Sequence, residues 1–186
     1  LMAARAAQQQ GAYERRDEYL RLAHESTPSA DVAIGLTQAE LQLSHKQYEQ
    51  ALATLNHIAS ISPGHGYVKK LQAYTFRHLG DWEHLGQVLQ QVKKLKAMDA
   101  EELQKLELEA YNGMLSKSIK QVDGEKTETI WRDMPKALKE NAALNYIYAS
   151  YLHTQKKDDE AEALIRHTLN KHWDNQLASL YADLNT

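Results

Sequence analysis

The sequence has no cysteine, and its 186 residues include only 3 prolines and 8 glycines. Without cysteine there is neither a disulfide framework nor a thiolate metal site, although this absence does not fix the cellular compartment. The scarcity of proline and glycine leaves few places where a helix must stop. No run of about 18 apolar residues occurs, the length that a membrane-spanning helix requires. The formal net charge of −3 excludes a global basic field that would attract nucleic acid or anionic lipid.

Alanine, leucine, glutamine, lysine and glutamate dominate the composition. Hydrophobic residues make up 42% and charged residues 25%, which is close to the average of globular proteins and sufficient for a core. This usage predicts long helices joined by short turns. The segment 1–7 and the segment 176–186 both have a helical pattern, and no signal peptide precedes the first. We therefore expect the sequence to be a fragment of a longer protein.

A turn followed two residues later by an aromatic side chain recurs along the first half of the sequence. The turns at Gly11, Lys46 and Gly80 lie 35 and then 34 residues apart. A tetratricopeptide repeat, which is a pair of antiparallel helices, has a period of about 34 residues. A later turn begins at Lys156 without the aromatic residue. The first two copies are expected to end near Pro28 and Pro63.

The residues that recur in each repeat also predict which positions are buried in the core. An alanine stands seven residues before each turn, where a larger side chain would hold the two helices of a hairpin apart: Ala4, Ala39, Ala73 and Ala149. The aromatic residues Tyr13, Tyr48, Trp82 and Trp173 are predicted to pack in the core, and so are the leucines Leu20, Leu55, Leu85 and Leu89 of the second helices. The other positions that recur in the second helices are Ala23, Ala51, Ile58, Val92, Ala161, Ile165 and Thr168.

The turns at 80 and 156 lie 76 residues apart, whereas two repeats would need about 68. We assign the extra length to an irregular fourth repeat with a helix over 101–117, a long connection over 118–125 and a helix over 128–134 that stops near Pro135. The predicted fold is an all-α, right-handed α-solenoid of tetratricopeptide-type hairpins, with about four and a half repeats, nine helices and the start of a tenth. One domain spans 1–186, with repeats over 1–30, 31–64, 65–97, 98–140 and 141–174 and a further helix beginning in 175–186.

The first helix of each hairpin lines the concave face of such arrays, opposite the packed alanines. Stepping along these helices gives the candidate binding residues Tyr67, Lys70, Tyr74, Arg77, His78, Tyr111, Tyr146 and His153, with Arg5, Glu40 and Ser150 on the same side. Tyrosine and arginine are enriched in the energetically dominant parts of protein interfaces. The third repeat, which carries the first five candidates, is therefore the predicted centre of a protein-binding surface. An ordinary solvated helix face is the alternative.

The nine histidines do not predict a metal site. No two of them lie three or four residues apart, the spacing that places two imidazoles on one face of a helix. The sequence also contains no nucleophile elbow, no Walker-type loop and no dinucleotide fingerprint. It therefore favours a binding protein with no catalytic residues and no cofactor over an enzyme.

Several segments carry a family resemblance. The opening Ala3–Gly11, the stretch Gln38–Leu43, the stretch Thr75–Trp82 and the later pair Ile130-Trp131 resemble the HemY-type proteins of proteobacteria. This resemblance implies a tetratricopeptide domain carried by an inner-membrane protein that is associated with late protohaem (porphyrin) biosynthesis. It also implies that the domain lies on the cytoplasmic side and that the membrane segment lies outside this sequence. The family offers no catalytic motif to transfer.

The leading hypothesis is a scaffold that binds other proteins and organises or regulates haem-biosynthetic enzymes at the bacterial inner membrane, with late enzymes of that pathway as partners and no nucleic acid. A generic peptide-binding or protein-binding module unrelated to haem is one alternative. The other is direct haem or porphyrin binding, with an imidazole such as His78 or His153 as axial ligand. The sequence leaves the oligomeric state open.

Overall fold

A computed structural model describes residues 1–26 and 30–184, apart from the side chains of His24 and Ser26. The described residues form eleven α-helices, a short 3₁₀ helix at Leu138–Glu140 and no strand, which confirms the all-α prediction. The predicted repeat end at Pro28 lies outside the described residues. The helices are α1 Met2–Gln9, α2 Tyr13–Ser26, α3 Asp31–Ser44, α4 Tyr48–Ile61, α5 Gly66–Leu79, α6 Trp82–Lys94, α7 Ala100–Lys120, α8 Gly124–Asp133, α9 Ala142–Thr154, α10 Asp158–Leu169 and α11 Asn175–Leu184.

The chain forms two compact units, Leu1–Leu106 and the residues from Glu107 onward. In the first unit, α1 packs on α2, α3 on α4 and α5 on α6; in the second, α9 packs on α10, and α11 packs against both. This arrangement of helical hairpins agrees with the predicted fold class. The predicted number of helices was too low, because the described residues form eleven α-helices where nine and the start of a tenth were predicted.

The turn inside each hairpin contains one residue with a positive φ angle. These residues are Gly11 (70°), Lys46 (59°), Gly80 (67°), Val122 (56°) and Lys156 (58°). At Gly80 the backbone N–H donates to the carbonyl of Arg77 (3.2 Å) and the next N–H donates to that of Phe76 (3.0 Å). This pair of hydrogen bonds closes the end of a helix with one left-handed residue. The turn at Val122 was not predicted, because a β-branched residue rarely adopts this conformation.

The predicted layout between Gly80 and Lys156 needs a correction. Helix α7 continues to Lys120, so most of the predicted connection 118–125 is helical. Helix α8 begins directly after Asp123, whose side chain accepts a hydrogen bond from the backbone N–H of Lys126 (3.0 Å) and so caps the helix. The extra length lies in the 21-residue helix α7 and in the segment after α8. Helix α8 does stop before Pro135, as predicted.

The predicted core positions are largely confirmed. The four alanines of the first helices are completely buried, and the predicted leucines of the second helices are at most 6% exposed. The aromatic positions are different. Tyr13 is 48% exposed and Trp173 is 74% exposed, so the assignment of both residues to the core was wrong. The Tyr13 ring contacts His45 in an edge-to-face arrangement, and the Arg16 guanidinium lies 5.5 Å from the ring centre. Tyr48 and Trp82 are partly buried. The start of a second helix lies at the border of the hairpin, where only one side of a large ring is covered.

Val122 gives a direct test of the turn geometry. We predict that Val122→Gly stabilises the chain by about 1 kcal/mol, because glycine adopts a left-handed conformation without a steric penalty. The valine side chain is 86% exposed, so little packing is lost. Urea unfolding measures the change as a higher midpoint at constant slope. An unchanged or lower midpoint would contradict the strained turn.

Gly35 provides a second test, because a Cβ atom at this position would lie 2.9 Å from Cγ1 of the buried Ile58. We predict that Gly35→Ala destabilises the chain by about 1 kcal/mol, since the overpacking exceeds the gain in helix propensity. In Gly64→Ala the added Cβ would meet no atom within 4 Å. This control should leave the thermal unfolding midpoint unchanged or slightly raised. Equal midpoints for the two variants would refute close packing of α3 on α4.

Candidate functional site

The side chains predicted for a binding face in the first unit contact one another across successive hairpins. The guanidinium of Arg5 on α1 pairs with the carboxylate of Glu40 on α3 at 2.9 Å. The hydroxyl of Tyr67 on α5 donates to the same carboxylate at 3.1 Å. Glu40 therefore ties the first helices of three hairpins together.

A second carboxylate repeats this arrangement one hairpin later. The Lys70 ammonium lies 3.0 Å from Glu102 on α7, and the Tyr74 hydroxyl donates to the other oxygen of that carboxylate. The ammonium also lies 5.6 Å from the centre of the Tyr74 ring, within the range of a cation–π interaction. Asp99 caps the start of α7 by accepting from the backbone N–H of Glu102 (2.8 Å). We call this set the carboxylate ladder: Arg5, Glu40, Tyr67, Lys70, Tyr74 and Glu102.

The contacts of the ladder favour neutral Tyr67 and Tyr74 hydroxyls and a charged Lys70 ammonium at neutral pH. Burial, followed by the hydrogen bond to Glu40, raises the pKa of Tyr67, and burial with the bond to Glu102 raises the pKa of Tyr74. The hydrogen bond to Glu102 raises the pKa of Lys70. Both carboxylates are about one-third exposed, so solvent weakens each ion pair to roughly 1 kcal/mol or less. A ligand at this face must therefore compete with contacts that the chain already makes.

The other two candidates on α5, Arg77 and His78, are not part of the carboxylate ladder. Arg77 is partly buried. The His78 ring stacks flat on Tyr48 at the start of α4, with ring centres 4.6 Å apart and planes 8° from parallel. His78 therefore contacts the preceding hairpin and does not continue the ladder.

In the second unit, the structure separates the three predicted residues. Tyr111 on α7 packs at the border of the core, and burial, with the charges of Glu107 and Asp133, raises the pKa of its hydroxyl. His153 is exposed, and its Nδ1 lies 2.7 Å from a carboxylate oxygen of Asp158. Tyr146 lines a cleft between α7 and α9.

The sequence did not predict this cleft. Its volume is about 340 Å³, at the lower end of the range for ligand pockets, and it is open to solvent along one side. Its lining is mainly apolar, with Ser116 and Lys120 as further members. We call it the α7–α9 cleft, and its principal lining residues are Ile119, Tyr146, Ile147, Ser150, Tyr151 and Thr154.

Some polar groups of the cleft are satisfied and others are not. Thr154 donates to the carbonyl of Tyr151 at 2.7 Å. The hydroxyl oxygen of Ser150 is buried and has no hydrogen-bond partner. Within the described part of the chain, neither the Tyr146 hydroxyl nor the Lys120 ammonium has a hydrogen bond or an ion pair. In contrast to the ladder, the cleft has polar groups that a ligand can use without displacing internal contacts.

Sequence reasoning placed Tyr146 and Ser150 on this face but missed their neighbours. Ile119 and Lys120 fell in the predicted connection, although Leu115 and Ile119 are spaced as on one face of a helix and could have extended α7. Glu102 lies in the first turn of α7, where the helix dipole favours an acidic residue. No local signal shows that it meets Lys70 and Tyr74, since that contact depends on how α5 and α7 pack.

In residues 1–26 and 30–184, no three histidine, aspartate or glutamate side chains come together in a group that could hold a metal ion. Across the same residues, no helix has the length and apolar character needed to cross a membrane.

Comparison with known proteins gives one consistent likeness. No family model matches the chain. The chain is 24% identical over 177 residues to the protein named HemY in Escherichia coli K12, and equally similar to HemY of E. coli O157:H7 and of Shigella flexneri. The match covers 95% of this chain but only 44% of each relative, so the chain spans less than half their length. The predicted resemblance is confirmed: along nearly all of its length, the chain is similar to HemY-type proteins.

Proposed function

We propose that the chain is a protein-binding scaffold that holds its partner at the face formed by the first helices of its hairpins. The observation that supports this function best is the α7–α9 cleft, where apolar side chains surround a buried Ser150 hydroxyl with no internal partner. A buried hydroxyl without a partner costs about 1–3 kcal/mol. Because this oxygen is inaccessible, the groups of the cleft that a bound polypeptide can contact are the apolar side chains and the Tyr146 hydroxyl.

The residues of the cleft suit a protein partner. Tyrosine is among the residues that most often dominate the binding energy of an interface, and Tyr146 stands at the cleft with its hydroxyl unused. Helices on both sides hold the lining residues, and these helices are anchored by completely buried Leu115 and Leu144. Rigid elements lose little conformational entropy on binding, which favours affinity.

The likeness to HemY supports a more specific proposal. The chain then belongs to a longer protein at the bacterial inner membrane, faces the cytoplasm as a tetratricopeptide-type domain, and organises or regulates enzymes of late haem biosynthesis. The relatives' name and the resemblance of Ala3–Gly11 and Thr75–Trp82 support this setting. The fold by itself supports only the general role of binding another protein.

Affinity capture from proteobacterial membranes tests the proposal. We predict that the unaltered chain retains specific proteins, among them late haem-pathway enzymes, and that Tyr146→Ala lowers their retention about tenfold, as loss of an interface aromatic residue does. Mass spectrometry measures the retention. Tyr19→Ala is the matched control, because this exposed tyrosine on α2 lies outside the cleft and should leave capture unchanged.

A third variant shows whether the partner binds at the α7–α9 cleft or at the surface of α5. The combined change Tyr74→Ala, Arg77→Ala and His78→Ala alters the surface predicted from the sequence, and thermal melts check that each variant remains folded. Loss of capture in this variant, with full capture by Tyr146→Ala, would move the binding surface to α5. Capture of unrelated proteins alone would remove the link to haem biosynthesis and leave a generic binding module.

A further inference from the structure

We propose that the second unit contacts an anionic lipid surface through the edge at which its second helices end. This edge consists of the connection from α8 to α9 and the connection from α10 to α11, with the helical turns that flank them, residues 130–145 and 166–178. We call it the inter-hairpin edge. The inference goes beyond the protein-binding role, because the edge shares none of the residues that line the α7–α9 cleft.

An ion pair brings the two connections of the edge together. The ammonium of Lys171, which follows α10, lies 2.6 Å from the carboxylate of Glu140, which precedes α9. The buried amide of Asn145 on α9 also donates to the hydroxyl of Thr168 on α10 at 2.8 Å. These contacts hold both connections on one side of the unit, so their exposed side chains form one surface.

Trp173 supplies this surface with a large apolar side chain. It lies between α10 and α11 and is 74% exposed. Its indole N–H donates to the side-chain oxygen of Asn175 at 2.8 Å. Because this donor is satisfied within the chain, the ring can leave water without losing a hydrogen bond. The headgroup region of a bilayer is a place where tryptophan is enriched.

The inter-hairpin edge also carries an excess of positive charge. Residues 130–145 and 166–178 contain two more lysine and arginine residues than carboxylates, with Arg132, Lys136, Lys139, Arg166 and Lys171 against Asp133, Glu140 and Asp174. The opposite edge of the unit, residues 117–127 and 151–161, contains five of each kind and therefore has no excess. Only the inter-hairpin edge thus has the charge that anionic lipid attracts.

The three carboxylates of the edge are engaged within the chain. Asp133 pairs with the neighbouring arginine at 3.2 Å, and Glu140 joins the two connections. Asp174 accepts from two backbone N–H groups at the start of α11, at 2.9 Å each. Among the cations, Arg166 lies 3.5 Å from a carboxylate of α10. Lys136 is exposed and has no ion pair within residues 1–26 and 30–184, so it is free to contact a lipid phosphate.

The composition of the edge favours lipid over a protein partner. A stable protein interface buries about 800 Å² on each partner, and its centre is depleted of lysine. Among residues 130–145 and 166–178, all of which the structure describes, Trp173 is the only exposed large hydrophobic residue, and three lysines accompany it. A bilayer accepts a single ring without a complementary pocket, and lysine stems can lie along lipid while their ammonium groups reach phosphates.

Co-sedimentation with unilamellar vesicles tests the proposal. One set of vesicles contains phosphatidylcholine alone, and the other contains about one-third phosphatidylglycerol, which gives the negative surface that attracts basic segments. We predict that the chain binds the anionic vesicles at least about tenfold more tightly than the neutral ones, and that added salt weakens this binding. Tryptophan emission should shift to shorter wavelength on the anionic vesicles, because the Trp173 ring leaves water.

Aromatic variants locate the contact. Trp173→Ala should lower the affinity for anionic vesicles about tenfold, because the transfer of its ring from water is lost. Trp173→Phe should keep most of the binding but lose the shift in emission. Tyr13→Ala is the control, because it removes another exposed aromatic side chain, at the start of α2 in the first unit, and should leave the affinity unchanged.

Charge reversal tests the electrostatic part of the contact. Lys136→Glu should weaken binding to anionic vesicles about tenfold, since it replaces an attraction to the surface with a repulsion. Lys156→Glu is the matched control, because it makes the same change in net charge at an exposed position of the opposite edge. This variant should bind as the unaltered chain does, and thermal melts check that every variant remains folded.

Other outcomes would overturn the proposal. Equal binding to the two kinds of vesicle, or equal effects of the two lysine variants, would exclude an anionic surface as the ligand. No binding to either kind, together with weaker protein capture by Trp173→Ala, would assign the edge to a protein partner. Tyr146→Ala should bind vesicles normally, so a failure of the lipid proposal is distinguished from a failure of the protein-binding role of the cleft.

Discussion

The close approach of the two helices within a hairpin is the constraint on which the rest of the structure depends. Ala4, Ala39, Ala73 and Ala149 are completely buried where the first helix meets the second. A methyl side chain lets the helix axes come close enough for the apolar residues of the second helix to interdigitate. Since one side of each first helix is fixed in this way, the residues of its opposite side are fixed as well. The buried alanines therefore determine which polar and aromatic side chains face away from the hairpin.

The two units use this opposite side differently. In the first unit, Glu40 and Glu102 each accept hydrogen bonds from a cationic and a tyrosine side chain, so the face is largely satisfied by the chain itself. In the second unit, the space between α7 and α9 is apolar and contains the unsatisfied Ser150 hydroxyl. A satisfied face contributes to the packing of successive hairpins, whereas an unsatisfied one gains hydrogen bonds only when a ligand arrives. This contrast supports the proposal that the binding site lies in the second unit.

Local patterns were sufficient to predict most of the helices. The turns at Gly11, Lys46, Gly80 and Lys156 were recognisable because their spacing is regular, and the buried alanines follow from the same spacing. The turn at Val122 could not be recognised in this way, because its residue type is atypical for a left-handed turn. The error then displaced the end of α7 and the start of α8.

The candidate site was less predictable than the fold. Helical periodicity placed Tyr146 and Ser150 on the side of α9 that lines the cleft, but it gave no reason to prefer them to Tyr74 or His78 on α5. That preference depends on which groups find partners after packing. The stacking of His78 on Tyr48 and the bond from Tyr74 to Glu102 join residues far apart in sequence, and no local pattern predicts such contacts.

Site-specific photo-crosslinking tests the central claim most directly, namely that the partner binds at the α7–α9 cleft and not at the ladder. A photoreactive phenylalanine analogue would replace Tyr146 in one chain and Tyr74 in another, and each chain would be irradiated with proteobacterial membrane extract. We predict a specific protein adduct from position 146 and none from position 74. An adduct from position 74 alone, or equal adducts from both positions, would contradict this account.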